Sequence, residues 1–470
     1  MTKRRVARGT AQDPGRTPLK SSSLQPNPLP RLAVWRSILL AFVPLFSDRG
    51  FVLLGELTTA WVLCPGRRTV TNMIRASGFS EERPHDAYHS FLRKGAWSLE
   101  ALWNTTTLLL VSRLAPTGPV VLALDDTLFH RAGPKVEGAG KFRDAVRSTG
   151  STTVYDRGLN LVVLVLRVKA PWGGEPLGLP LLVSLYRKKG PDQEGPTHLD
   201  LAVEMMGKLA AWLPSRLFTL VADGAYASLA GRDLPHTTLN SRIRRDANIF
   251  ELPPPWRPGR VGRPPKKGKQ LPKPMQLSEK LKKEEWTRVR VDRHGKLVER
   301  LVWAKVVLWY ETTERPILLV ISRDPAGREK DDYFFTTDVS MAPGLVVEYY
   351  LSRWCVECTF HDTKQSLGGE EPQTWKGEGP VRAASLAFWL HSLVWYWFLE
   401  TQGKEPSMAR LPWYPKKARP SFADALASLR LELWPERLSL SVERVSARSG
   451  PRALLEKTVA RLTEVLAIAG

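Results

Sequence analysis

Val120-Val121-Leu122-Ala123-Leu124-Asp125-Asp126-Thr127 is an apolar run that stops on two adjacent carboxylates. Five apolar residues without a break fit a strand buried on both faces of a sheet that helices cover. Comparable runs follow at Leu159 to Val168, Leu179 to Leu185 and Leu217 to Ala222, with a helical stretch, Leu199 to Leu213, between the third and fourth runs. The order strand, strand, strand, helix, strand predicts an α/β core that starts near residue 117 and occupies 117–240 in its first part.

On the N-terminal side, apolar residues recur at helical spacing from Trp35 to Leu114, broken at Pro65-Gly66, Gly78 and Pro84. This predicts an all-helical domain over 32–116. Within it Arg67, Arg68, Thr69, Thr71, Asn72 and Arg75 start a helix straight after a tight turn, as the reading helix of a helix-turn-helix does. An ordinary exposed polar face is the alternative. Residues 1–31 combine Lys3, Arg4, Arg5, Arg8, Arg16 and Lys20 with few large apolar side chains, which predicts a disordered basic arm. On the C-terminal side, 241–342 reads as a β-rich insertion domain. It holds strand-like runs at Thr287 to Val291, Leu297 to Tyr310 and Pro316 to Ser322, and a Pro-rich basic loop. Helical patterning over 343–400 forms the second part of the core, and 401–470 is a helical C-terminal region.

The chain has 470 residues, 43% of them hydrophobic, enough for a sizeable core in two or three domains. Lys and Arg outnumber Asp and Glu by 69 to 47, so a polyanionic partner is expected and nucleic acid is the first candidate. Three cysteines, Cys64, Cys355 and Cys358, cannot build a disulfide framework, and the N-terminus lacks the order of a signal peptide, which points to a reducing cytoplasm. Ala384 to Leu399 is interrupted by His391 and Ser392, short of the ~18–20 residues of a membrane span, and reads as a buried helix.

Carboxylates that close buried strands are costly unless they are coordinated or hydrogen-bonded. Asp125 and Asp126 close one run, Asp223 closes another, and Glu357 lies in a helical stretch. Carboxylates from separate elements are what two Mg²⁺ ions about 3.5–4 Å apart require for phosphodiester chemistry. Around Glu357, the stretch Tyr350-Leu-Ser-Arg353-Trp-Cys-Val-Glu357-Cys-Thr-Phe-His-Asp-Thr-Lys364 spaces Tyr, Arg, Glu and Lys by three, four and seven. Those offsets predict one stripe along a helix, a face suited to phosphate and metal. A salt-bridged amphipathic helix is the bland alternative.

This Tyr-x2-Arg-x3-Glu-x6-Lys pattern resembles the signature of the bacterial DDE transposases of the insertion-sequence-four superfamily. Asp-Asp-Thr after the first strand, Asp223-Gly-Ala-Tyr226, a β insertion before the Glu, and Lys364-Gln-x-Leu367-Gly368 extend the resemblance over residues 35 to 400. It implies a ribonuclease H-like catalytic core in which Asp125 or Asp126, Asp223 and Glu357 bind two Mg²⁺, with Mn²⁺ able to substitute. Side chains alternate along a strand, so only one of the two adjacent aspartates faces the site; the apolar residue before it favours Asp125, with Thr127 supporting it by a hydrogen bond. Tyr350, Arg353 and Lys364 would contact phosphate near the transposon end. The implied partners are double-stranded DNA, both terminal inverted repeats and target, and a second copy of the chain in a homodimeric synaptic complex in the nucleoid.

Relatives with this signature and a β insertion cleave through a DNA hairpin, an aromatic side chain of the insertion holding a flipped base. Their usual Trp stands just before the Glu helix, where this chain reads Asp332-Tyr333-Phe334-Phe335-Thr336. Tyr333 or Phe334 would substitute, with Trp303 and Trp309 as alternatives. The acid-free segment holding Arg257, Arg260, Arg263, Lys266 and Lys267 is expected on DNA phosphates. Cys355-x2-Cys358-x2-His361 offers too few ligands for a structural zinc. Two other readings compete with transposition: a ribonuclease H-like nuclease without strand transfer, and a domesticated DNA-binding protein.

Overall fold

The computed structural model describes residues 30–188, 195–255, 263, 265–312, 315–406, 408, 412–446 and 459. Nearly all of the expected basic arm, together with Arg257 and Arg260, lies outside the described residues.

Five helices open the chain: α1 (Arg31–Leu40), α2 (Asp48–Leu63), α3 (Val70–Ser77), α4 (His85–Lys94) and α5 (Leu99–Leu114). Side-chain caps begin three of them: Ser47 for α2, Thr69 for α3 and Ser98 for α5 each accept a backbone amide of the first turn. Then come β1 (Val120–His130), β2 (Gly140–Arg143), β3 (Tyr155–Val168), β4 (Leu177–Tyr186), α6 (His198–Trp212), β5 (Phe218–Ala222), β6 (Thr237–Arg242) and β7 (Ile249–Phe250). After these follow α7 (Pro274–Lys280), β8 (Thr287–Arg293), β9 (Lys296–Trp309), β10 (Ile317–Arg323), β11 (Asp332–Thr336), α8 (Pro343–Leu351), α9 (Trp354–His361), α10 (Gly379–Thr401) and α11 (Phe422–Ser446).

The strands form one mixed α/β sheet. Its path runs β2-β3-β1-β5-β6-β11-β10-β9-β7, with β4 also on β3 and β8 also on β9. β1, β5 and β6 are parallel neighbours, and β3 and β4 run antiparallel on the other side of β1. Strands β8 to β11 continue that sheet, because β11 pairs with β6 through Phe334↔Arg242 to Thr336↔Asn240. The β8–β9 hairpin turns through His294 and Gly295 at φ 54° and 74°, the left-handed pair that a two-residue hairpin turn demands.

One hydrophobic cluster joins the N-terminal helices to the sheet: Trp35, Trp61 and Trp103 belong to it together with Leu122, Leu164, Trp389 and Trp397. Helix α10 runs through this core with nearly every side chain buried, from Gly379 to Phe398. No helix among the described residues is long and apolar enough to cross a membrane. A second cluster, with Val221, Val320, Phe334 and Tyr350, seats α8 on the other part of the sheet.

Two local features depart from the expected pattern. The apolar run of β1 ends at Leu124, yet the strand continues to His130, because Asp125 to His130 keep pairing with β3. The carboxylates therefore lie within the strand. The stretch from Tyr350 to Lys364 is also not one straight helix. α8 ends at Leu351, and amides of Arg353, Cys355 and Val356 bond three residues back. That tight turn redirects the chain into α9, and residues 362–366 then form a π-helical turn.

Candidate active site

Pairing between β1 and β5 stops at Leu124↔Ala222. Beyond that point β5 gives way to the Asp223 turn, while β1 runs on with only β3 beside it. Asp125 thus lies over an opening at the carboxyl end of β5, with Asp223 next to it in register. Parallel strands of an α/β sheet place ligand-binding groups at such ends.

The tight turn at Arg353 brings the third carboxylate to the same place. Arg353 Nη1 donates to Asp125 Oδ2 at 2.6 Å, and Nη2 donates to Glu357 Oε1 at 2.7 Å. Tyr350 Oη donates to Asp223 Oδ1 at 3.2 Å, and its ring lies 4.7 Å from that of Phe334. Tyr350 and Arg353 therefore reach three acidic groups, Glu357 among them, through a bend and not along a straight stripe. Gly178 on β4 lets α9 approach: a Cβ there would stand 2.6 Å from Thr359 Oγ1 and 2.8 Å from the Cys355 carbonyl oxygen. Thr359 Oγ1 donates to the Gly178 carbonyl at 2.8 Å and fixes the helix on the sheet.

Burial pushes the Asp125 carboxyl up to about 6, against the opposing pull of Arg353. For Arg353, burial works against its charge, yet Asp125, Tyr350, Glu357 and Asp223 together hold it more firmly protonated than usual. Burial, with Asp223 nearby, lifts the Tyr350 phenol to about 12. The set carries more acid than its single buried cation compensates.

Asp126 faces a different set of partners. It accepts from Tyr226 Oη at 3.1 Å and from Asn160 Nδ2 at 3.1 Å, and Asn160 Oδ1 lies 2.8 Å from His198 Nε2. Sequence reading missed Asn160 and His198, since neither stands in a local motif; Tyr226, three residues after Asp223, was visible only as part of a resemblance. Thr127 does not support Asp125. No hydrogen bond joins the two side chains, and Asp125 Oδ1 accepts the Asp126 amide at 2.9 Å instead.

Lys364 lies within the π-helical turn and is drawn aside. Its Nζ donates to the Leu128 carbonyl at 2.8 Å, and burial lowers its pKa. The aromatic candidates are all committed to packing. Phe334 and Trp309 are buried, Trp303 packs against the main core, and Tyr333 is half-buried with its hydroxyl 3.2 Å from Ser278 Oγ. Strand pleating on a helix-covered sheet accounts for this, since every second side chain meets the covering layer.

In the helical region, Thr69 caps α3 and Asn72 Nδ2 donates to the Arg67 carbonyl. Arg68 is only 7% exposed, and its amide donates to Glu371 Oε2 at 2.6 Å. Only Arg67 of this pair is on the surface, on the rim of a cavity of about 630 Å³ that His130, Lys135 and Trp375 also line. Arg263, Lys266 and Lys267 are exposed, with Lys267 Nζ 4.0 Å from the centre of the Phe250 ring. Burial pushes the Cys355 and Cys358 thiols up to about 12, far from the thiolate a metal needs.

A second group, His130, Asp144 and Asp156, could hold a metal ion: one ligand atom from each lies within 4.8 Å of the others. His130 Nδ1 is 2.9 Å from Glu370 Oε1, while Arg147 already bridges both aspartates at 3.0 and 2.7 Å. Asp125, Asp223 and Glu357 do not close to that spread, and Arg353 stands between the first and the last of them.

A family model described as DDE superfamily endonuclease matches residues 45–297. The match spans α2 to the start of β9 and includes Asp125, Asp126 and Asp223; Glu357 lies beyond it. A comparison with curated proteins gives no match.

Proposed function

The chain belongs to the DDE superfamily of endonucleases, and from that premise we propose that it is a cut-and-paste DNA transposase of the insertion-sequence-four type. It would bind the ends of its element, cut them and join them to target DNA. The observation that carries this reading is the meeting of Asp125, Asp223 and Glu357, from β1, the end of β5 and α9, around one opening in the sheet. Three carboxylates from separate elements fit two Mg²⁺, and a bound cation would offset the burial that raises the Asp125 carboxyl. Bound there, the ions would activate the attacking oxygen and stabilise the leaving one.

The protein's own side chains complete the arrangement. Asp125, Asp223 and Glu357 are the proposed ligands. Tyr350 orients Asp223, while Asn160 and Tyr226 give Asp126 partners of its own, which favours Asp125 as the ligand. Arg353 is the group nearest to an incoming phosphate, because it already stands among the carboxylates that would hold the ions. The reading includes no hairpin step, since Tyr333, Phe334, Trp303 and Trp309 are packed.

The test is a gel assay on duplexes that carry the inverted repeats flanking the gene. Wild-type protein with Mg²⁺ should cut at the repeat and join the cut end to a plasmid. Glu357→Gln should lose on the order of 10²–10³-fold or more of cleavage while binding the same duplex. Cleavage without joining would favour a plain nuclease, and a fully active Gln variant would sink the site assignment.

A further inference from the structure

We propose that Arg353 is an exchangeable counter-ion: it fills the carboxylate centre in DNA-free protein, and a DNA phosphate draws it out as divalent cations enter. The inference rests on the reading of Asp125 and Glu357 as metal ligands.

Arg353 donates to Asp125 Oδ2 and Glu357 Oε1, two oxygens a shared cation would need. It is the only Lys or Arg paired with either carboxylate among the described residues. Its guanidinium and a divalent ion on the same two oxygens would stand a few ångströms apart and repel each other, so the two occupants exclude one another. The three carboxylates are also spread wider than a compact ligand group while Arg353 stands between two of them.

The arginine is only partly satisfied where it stands. Its side chain is 13% exposed and its Nε is buried without a partner, so the site satisfies only part of the guanidinium. It caps α9 at the tight turn, beside Trp354, which is 47% exposed. A phosphate offers the planar, bidentate partner that a guanidinium prefers. Moving Arg353 from carboxylates to phosphate exposes two negative groups to the cations and adds one positive group to the DNA contact.

Linkage then makes the coupling reciprocal: DNA should tighten divalent-cation binding by the same factor that cations tighten DNA binding. Such a centre stays poorly loaded with metal until DNA is present.

The measurement is Mn²⁺ binding to the full chain, read by the loss of the free-ion electron paramagnetic resonance signal. It is made with and without a random-sequence duplex, and the duplex alone is subtracted. Wild-type protein should bind Mn²⁺ about tenfold or more tightly with duplex than without. Arg353→Gln should bind Mn²⁺ about tenfold more tightly than wild type in the absence of DNA, and the duplex should then add little. The proposal is overturned if wild-type affinity ignores the duplex, a result that needs no variant to fold. It is also overturned if folded Arg353→Gln, checked by circular dichroism, binds Mn²⁺ no better than wild type. The double variant Asp125→Asn with Glu357→Gln separates this failure from that of the site itself. If it binds Mn²⁺ as wild type does in both conditions, the carboxylates are not the ligands and the functional reading falls first.

Discussion

Asp125 and Asp223 follow Leu124 and Ala222, the last paired residues of two adjacent parallel strands, so the two carboxylates leave the sheet side by side where β5 stops. Asp126, one residue on, turns to Tyr226 and Asn160 instead. This predicts unequal roles for two chemically identical neighbours. Asp125→Asn should lose on the order of 10²–10³-fold of DNA cleavage, and Asp126→Asn no more than about tenfold. Equal losses in single-turnover cleavage would show that the strand does not sort them as its pairing indicates.

Asp125 should also cost stability. Burial lifts its carboxyl from an ordinary 3.8 to about 6. The folded state therefore holds this proton more tightly than the unfolded chain, and stability falls as pH rises through that window. A shift of about two units corresponds to about 2–3 kcal/mol at neutral pH. Asp125→Asn should thus melt higher than wild type at pH 7.5 and about equally at pH 4, although it takes one partner from Arg353. A variant that melts lower at pH 7.5 would mean that the Arg353 pair outweighs the burial cost.

How much of this was readable in the chain differs residue by residue. The apolar runs of β1, β3, β4 and β5 were legible because strands buried on both faces need unbroken hydrophobicity. The continuation of β1 past Asp126 was not, since its polar residues follow a rule set by pairing with β3. The bend at Ser352 and Arg353 left no mark either: no Gly or Pro breaks the helical spacing there, and the redirection follows from α8 and α9 packing on different parts of the sheet. Arg68 read as a surface residue because basic side chains usually are. Its backbone amide donates to Glu371, three hundred residues away, a contact that no local pattern reveals.

Gly178 sets the height of α9 above the sheet. Gly178→Ala would place a methyl group 2.6 Å from Thr359 Oγ1 and 2.8 Å from a backbone carbonyl, so the helix that carries Glu357 must move outward. The overpacking should cost about 1–3 kcal/mol of stability. A displacement near 1 Å at Glu357 should cost about 10²-fold in cleavage. Wild-type melting and wild-type activity together would show that the contact can relax without moving the site.

Arg67 and Arg68 are neighbours with opposite expected phenotypes. Arg67 is exposed, and its loss should remove about one phosphate contact, reducing the salt slope of DNA binding by about 0.9 and leaving the melting temperature unchanged. Arg68 is 7% exposed, and burial lowers its pKa. Replacing it by Ala should destabilise the fold by about 1–3 kcal/mol, mainly through lost packing, and leave the salt slope of the folded protein as it was. Exposed Arg263, Lys266 and Lys267 provide the comparison: their joint replacement by Ala should lower the slope by up to about three such contacts, with equal effect on cognate and scrambled duplexes, because phosphate contacts carry no sequence. Fluorescence anisotropy across a salt series, paired with thermal melts, reads all three variants. If Arg68→Ala flattened the slope at unchanged stability, the buried arginine would have to emerge to meet DNA, and the packing of α3 would differ in the complex.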